Sequence, residues 1–543
     1  MQKKLPSINN AHGPETRNII NEIIKAVNDR GLEILSESGF LTWLDENLVK
    51  HQGEWDNTKK YDRLAVVLHE GSSYTSIKNV PTGVDISNRE FWVVTGNYNA
   101  QVEYYQEEVN EKFDNRGYNL GDAKFGVKGD GIADDTSAIQ LALSSIGNNS
   151  TVYVPTGTFL ISNEIIIPDG LKLIGQDKYS SVFKLKDSVM SNVFTGVGTS
   201  NVVFENIGIL GNKDSLPTIG KSRGIDIQNG TNNSIRNCHI KDIKQHGVYF
   251  KNVTHSDVIY NKIEHIGNGT QPGQEYNSDG ILLNNGCHYN NISNNTIEHV
   301  NDKGNGTLNI DGDGVQLQGD TAIDCSNNKV NNNIIRFCSL RGVKNQSSYN
   351  DISQNEIENC ETGIGNIMIN YSIGNVINNN KITTVEYGIV FSTEKCTHTS
   401  IMGNVFKNVK RIAHTTPNGG SVVDCSFVGN QYYDVGSSFL NADGDRIKII
   451  GNNVYNYGGD GTLSSRSCIL LSDNTGGNHL IQGNTFIGNT TNSEHIVYSF
   501  NNIKPGTIKD NYVENPSDTV EFLITNKAEW IIEDNYNKDG VMS

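Results

Sequence analysis

The stretch VIYNKI at 258–263 decides how this chain is read, because the same phrase returns as ISNNTI at 292–297, ISQNEI at 352–357 and INNNKI at 377–382. Further copies are IMGNVF at 401–406, FVGNQY at 427–432, IQGNTF at 481–486 and IKDNYV at 508–513. Each opens and closes on an apolar residue and carries Asn in the fourth place. The Asn column runs through 206, 261, 295, 333, 355, 380, 404, 430, 452, 484, 511 and 535, with Asn237 an irregular member and copies 22 to 38 residues apart. A fixed phrase at variable spacing is one short structural unit whose loops absorb insertions, which is the mark of a solenoid. Period-two alternation and β-branched residues make that unit a strand. Strands at this spacing, with no helical pattern between them, predict a parallel β-helix. The Asn then falls at one turn of every coil, where its side chain bonds backbone and tolerates left-handed geometry. A second inward column follows five residues later: Ile266, Val300, Cys338, Cys360, Val385 and Val409.

Composition agrees with thin coils and polar turns. The hydrophobic fraction is 36%, low for a globular enzyme, and the formal net charge of -17 argues against nucleic acid, whose phosphates need Lys and Arg. The 8 Cys include no CxxC pair and two lie in the apolar column, so they read as small core hydrophobes rather than disulfides or zinc ligands. MQKKLPSINN at the amino terminus has no apolar segment after it, so no signal peptide is expected, and no apolar run is long enough to span a membrane. The expectation is synthesis in a host cytoplasm.

Before the solenoid, Ile19, Ile20, Ile23, Ile24 and Val27 form one helical face ahead of Gly31, which predicts a helical attachment and oligomerisation region over 1–50. Residues 51–97 read as a small β module with strands near Val66 and Tyr74 and a turn at 81–83. The spacing of Trp55, Tyr61, Gly71, Tyr74, Pro81 and Trp92 resembles the small carbohydrate-binding modules of chitinases, with these aromatics expected mainly as core. Val102, Tyr105, Val109 and Phe113 step as a helical neck over 98–120.

FGVKGDGIADDTSAIQLAL at 125–143 opens the solenoid, with TVYVPTGTFLI at 151–161 and LKLIGQ at 171–176 behind it. Asp134, Asp135 and Thr136 suit a helix start, and Ala138, Ile139, Leu141 and Ala142 suit the buried face of a helix plugging the coil. These stretches resemble the pectate-lyase superfamily β-helices of phage tailspikes. The resemblance implies a mainly β chain: a right-handed, single-stranded parallel β-helix with its opening at 121–200 and its body at 201–543, behind a small α/β head and a helical neck. It further implies a homotrimeric tail appendage in a virion, joined to phage tail or collar proteins through the head, whose partner is a host cell-surface polysaccharide or teichoic acid, with no nucleic acid and no membrane involved.

Chemistry is expected where a Gly recurs in RGIDI, HGVYF, DGILL, DGVQL, RGVKN, TGIGN and YGIVF. The residue before that Gly gives the column Arg223, His246, Asp279, Asp313, Arg341, Thr362 and Tyr387, and two positions after it, expected to face outward, stand Asp226, Tyr249, Leu282, Gln316, Lys344, Gly365 and Val390. A structural column repeats one residue type, whereas this one gathers acids, a base and cations. Neighbouring strands lie ~4.8 Å apart, so Asp279 and Asp313 fall within the roughly 5 to 9 Å that the two carboxyls of a glycoside hydrolase require. NSDGI with Asp279 and DGDGV with Asp311 and Asp313 resemble the paired acidic motifs of polygalacturonase-type hydrolases, and RGVK with Arg341 and Lys344 resembles their cationic substrate-binding motif. Their Gly-His-Gly is missing, and the comparable His246 lies upstream. The expected roles are catalysis by Asp279, Asp313, Asp311 and His246 in hydrolysis, and substrate binding by Arg341, Lys344, Arg223, Gln316 and Tyr249. Asp-Gly as plain turn chemistry, β-elimination and a non-catalytic adhesin remain the alternatives. A competing column, three residues past the Asn, is Glu264, Glu298, Arg336 and Glu358, with His265 and His299 beside it. No cofactor is required and no metal residue is assigned, although Asn441, Asp443 and Asp445 in NADGDRI are similar to a calcium loop whose twelfth position is Asn452 rather than Glu.

Overall fold

The computed structural model describes residues 50–70, 72–97, 117–216, 222–267, 278–301, 312–321, 323–367, 371–392, 395–415, 421–457, 467–472, 477–488, 495–500, 505–514, 521–524 and 530–542. They fall into two units, Met1–Arg116 and Gly117–Ser543. The helix expected over 1–50 and most of the neck lie outside the described residues. The neck's last expected residues belong instead to a strand, Tyr118–Asn119, paired with Val152 and Tyr153.

In the first unit, strands Lys50–Glu54, Ala65–His69, Ser72–Ser76 and Trp92–Asn97 form one sheet. Tyr61, Ala65, Val67, Val80, Ile86 and Trp92 form its core, with Trp55 and Tyr74 packed at the margin. So small a sheet buries its aromatics because it has little else to bury.

The second unit is a parallel β-helix. One coil reads as strand His239–Lys241, a corner, strand His246–Thr254, a turn, strand Asp257–Ile259 and a tight turn into Lys262–Ile266. Each strand pairs in parallel with its counterpart on the next coil, as Val258 with Ile292 and Ile292 with Val330. Sixteen strands join in one sheet in strict chain order, and the remaining coil strands join in a second of 32. The predicted second inward column is buried throughout.

The recurrent Asn forms a continuous buried ladder from Asn261 to Asn535. Asn380, for example, accepts from Asn355 N and Nδ2 at 2.9 and 3.0 Å and donates through Nδ2 to Ile352 O at 2.9 Å and Asn404 Oδ1 at 3.0 Å. The left-handed residue is not this Asn but the one before it: Tyr260, Asn294, Asn332, Gln354, Asn379, Gly403 and their successors. Asn206 and Asn237 fall at that left-handed position, outside the buried ladder, and Cys238 N caps the ladder by donating to Asn261 Oδ1. The division of labour is physical, because the turn needs one residue at positive φ and the corner one amide that can bond both neighbouring coils. A second ladder, Asn290, Asn328, Asn350 and Asn375, lies five residues upstream on the other turn and was not anticipated. Removing one rung strands several buried donors and acceptors at once, so Asn380→Leu is expected to lower unfolding free energy by about 3 kcal/mol in denaturant titration.

At the opening, Thr136–Ile146 forms the capping helix with Ile139, Ala142 and Leu143 buried. Leu141, expected on that face, is 70% exposed, because the buried stripe steps from 139 to 142 and 143. Asp134 Oδ1 accepts from Thr136 N, whereas the Asp135 carboxylate turns away to bind Lys128 N and Gly129 N at 2.7 and 2.9 Å. All eight cysteines are buried free thiols, and burial pushes Cys238 and Cys425 up to about 12, too high for thiolate chemistry.

Candidate functional site

Coil register assembles the charged column that the sequence outlined. Arg223 pairs with His246, His246 with Asp279, Asp279 with Asp313, Asp313 with Arg341, and Arg341 with Thr362. The companion column runs Asp226, Tyr249, Leu282, Gln316 and Lys344. The intervening Gly allows this stacking: a Cβ on Gly280 would lie 2.6 Å from Gly314 O, and one on Gly314 would lie 2.6 Å from Gly342 O.

Within the column each carboxylate has its own partner, an imidazole for Asp279 and two cations for Asp313. His246 Nδ1 lies 2.9 Å from Asp279 Oδ2. Asp313 Oδ1 is 3.1 Å from Arg341 Nη1, and its Oδ2 is 3.6 Å from Lys344 Nζ. The Asp279 and Asp313 side chains are 0% exposed and His246 is buried, and the companion column, expected to face outward, is buried at Asp226, Tyr249, Leu282, Gln316 and Lys344, because neighbouring coils cover it. Gln316 donates Nε2 to Gln346 Oε1 at 2.9 Å, and its own Oε1 is a buried acceptor without a hydrogen-bond partner. Asp311 lies outside the described residues. The column thus holds a proton-exchanging imidazole, two carboxylates and two cations on consecutive coils, a set suited to acid–base chemistry on a polar substrate.

The two carboxylates fall on longer-than-usual coils. Successive ladder Asn residues are separated by 34 positions across Asp279 and 38 across Asp313, against 22 to 27 for most coils.

Arg223 is oriented inside the column rather than outward. Its Nη1 donates to Asp226 Oδ2 at 2.6 Å and its Cζ lies 3.5 Å from the Tyr249 ring centroid. Asn192, Thr195 and Glu164 extend this network to earlier coils and were missed from sequence. The signal was faint, because the Asn phrase that indexes the coils has no clean copy there.

The competing column also stacks in register, with Glu264 beside Glu298, Glu298 beside Arg336, and Arg336 beside Glu358. Its charges interleave into ion pairs. Arg336 reaches Glu356 and Glu358 at 3.8 and 4.0 Å, while Glu264 contacts His239 at 2.9 Å, Lys262 at 2.7 Å and Lys241 at 3.6 Å. Burial alone would push the Glu264 carboxyl up. The hydrogen bonds from Lys262 and His239 more than offset that and hold it at about 2, so it is no proton donor near neutrality. Its stabilising effect is complete above the usual carboxylate range and fades as pH falls from about 4.5 toward 2. The stability difference between wild type and Glu264→Gln, expected at roughly 1 to 2 kcal/mol after solvent screening, should shrink over that window in acid unfolding. His265 and His299 stack face to face at 4.9 Å, with Phe337 next on the same ladder.

The stretch resembling a calcium loop is not a loop. Asn441, Asp443 and Asp445 lie in strand Leu440–Asp445, where Asp445 accepts from Gly477 N and pairs with Arg446. An extended strand lacks the curled backbone with which such a loop wraps its ligands around one ion. No cluster of three or more His, Cys, Asp or Glu with metal-holding geometry occurs among the described residues.

The sequence matches the family described as Rhamnogalacturonase A/epimerase, pectate lyase-like, over residues 123–390. It is 37% identical over 129 residues to the preneck appendage protein of Bacillus phage PZA, a match covering 22% of this chain and 14% of that protein. It is 32% identical over 114 residues to mannuronan C5-epimerase AlgE1 of Azotobacter vinelandii, covering 18% of this chain and 8% of the other. The chain therefore spans a small part of the length of these relatives. Among solved structures, the N-terminal fragment of bacteriophage phi29 gene product 12 superposes with a TM-score of 0.51 at 16% identity, over 77% of this chain and 74% of that one, a likeness of fold.

Proposed function

We propose, on the premise that this chain carries a pectate-lyase-like parallel β-helix, that it is a phage tail appendage which binds and depolymerises a host cell-surface polymer by hydrolysis. The observation that carries the reading is the run His246, Asp279, Asp313, Arg341 on successive coils, with Asp279 against an imidazole and Asp313 against two cations. Buried ion pairs are costly to form, and a solenoid stacked by apolar columns and Asn ladders does not need them for its fold.

In this reading Asp313, ion-paired with Arg341 and Lys344, is the anionic base or nucleophile, and the His246–Asp279 pair delivers the proton to the leaving oxygen. Gln316 Oε1 accepts from a sugar hydroxyl. Teichoic acid, capsule and exopolysaccharide are the candidate polymers, and a homotrimer attached through the residues before the β-helix is the proposed assembly. A second reading, an adhesin that grips the polymer without cutting it, is favoured by the complete burial of both carboxylates.

The deciding experiment incubates purified wall polymer and capsule with the protein and follows chain length, new reducing ends and ultraviolet absorbance. Shortening with new reducing ends supports hydrolysis. Shortening with an absorbing unsaturated product replaces it with elimination. Tight binding at constant length selects the adhesin.

A further inference from the structure

The strongest unassigned feature near the column is a chain of contacts through one aromatic ring. Asp226 is buried and takes hydrogen bonds from three directions: Arg223 Nη1 at 2.6 Å, Gln228 Nε2 at 3.0 Å and Asn192 Nδ2 at 3.3 Å. Asn192 also turns its Oδ1 to Arg223 N at 3.0 Å, so both the backbone and the guanidinium of Arg223 are fixed. That guanidinium lies over the face of Tyr249, 3.5 Å from its centroid. Tyr249 in turn stacks on the His246 imidazole with centroids 5.6 Å apart and planes 25° apart, and its hydroxyl accepts from Asn284 Nδ2 at 2.8 Å. His246 meets Asp279 on the next coil at 2.9 Å.

We propose that Arg223 and Asp226 are positioning residues for the proposed reaction: through Tyr249 they hold the His246 ring with its Nδ1 edge toward Asp279, and Arg223 is not itself a ligand for the polymer. This rests on His246 being the proton carrier of the site. Three physical points support it. A guanidinium already hydrogen-bonded to a buried carboxylate and stacked on a ring has little freedom to reach a substrate. A cation over a tyrosine face is attracted by the ring and resists its tilting. An imidazole held only by its carboxylate partner could swing about that contact, and the stacked phenol removes the swing. A misplacement of about 1 Å in a proton carrier costs on the order of 10²-fold in rate.

The test uses the full chain with Arg223→Met, Arg223→Lys and Asp226→Asn, and two independent measurements. The first is the titration midpoint and ring-nitrogen shifts of His246 in protein labelled with 15N-histidine, with His246→Asn assigning the signal. The second is kcat and KM on whichever polymer the wild type cuts, across pH. Arg223→Met and Asp226→Asn are expected to move the His246 signals and midpoint, and to lower kcat by about 10- to 100-fold with KM within about threefold and a displaced pH limb. Arg223→Lys, which keeps the cation, is expected to recover part of both. Unchanged His246 signals in a folded Arg223→Met protein would overturn the proposal, as would a rise in KM with kcat intact. A wild type that cuts no polymer would fell the hydrolytic reading, while the histidine titration would still decide the positioning claim.

Discussion

Asp279→Asn is expected to stay folded and to cut polymer about 10² to 10⁴ times more slowly than wild type, measured as new reducing ends under saturating polymer. The asymmetry between lost rate and retained fold follows from what the carboxylate does. Asp279 faces the Nδ1 edge of His246 at 2.9 Å, and in the proposed hydrolysis it orients the imidazole and balances its charge when the ring takes a proton. An amide of the same shape fills the same space and keeps the coils packed, yet it cannot balance that charge. Asp313→Asn should lose activity to a similar degree and also lose about 3 to 5 kcal/mol of stability, because it leaves Arg341 and Lys344 buried without their shared anion. Equal cutting by wild type and both variants would remove the carboxylates from the mechanism.

Gly314→Ala is expected to be among the most destabilising single changes in the β-helix, at about 3 kcal/mol or more by denaturant titration. Its Cβ would stand 2.4 Å from Ile335 Cγ2 and 2.6 Å from Gly342 O. The carbonyl belongs to the next coil and cannot yield without parting the ladder. Because the neighbouring Asp313 would move with it, polymer cutting should fall alongside stability. Gly429→Asn is the contrast: Gly429 has φ of 63° with nothing within 4 Å of its missing Cβ, and Asn294 and Asn379 already occupy the same turn position on other coils. That change is expected to fall within about 0.5 kcal/mol of wild type.

Most of the scaffold was legible because its determinants are local. A branched residue before and after each tight turn, and one Asn at the turn itself, state the two strands, their inner faces and the corner between them within six residues, as in ISQNEI at 352–357. The charged column was legible as well, since the stacked glycines index each coil independently of loop length. The capping helix was misread at Leu141, where the apolar stripe admits two phases and only packing against the coil selects Leu143. The second Asn ladder escaped because Ser256 interrupts its column between Asn233 and Asn290.

The sequence alone settled that coils stack in parallel and that His246, Asp279, Asp313 and Arg341 follow one another along them, since both facts depend on short repeated spacings. It could not settle which charges join. That Asp279 turns to His246 while Asp313 turns to Arg341 and Lys344, that Arg223 lies on Tyr249, and that Glu264 draws two lysines and a histidine was decided by the tertiary structure alone. Register brings backbones together at fixed intervals, whereas the pairing of long side chains is chosen by rotamer, burial and the competing charge on the next coil.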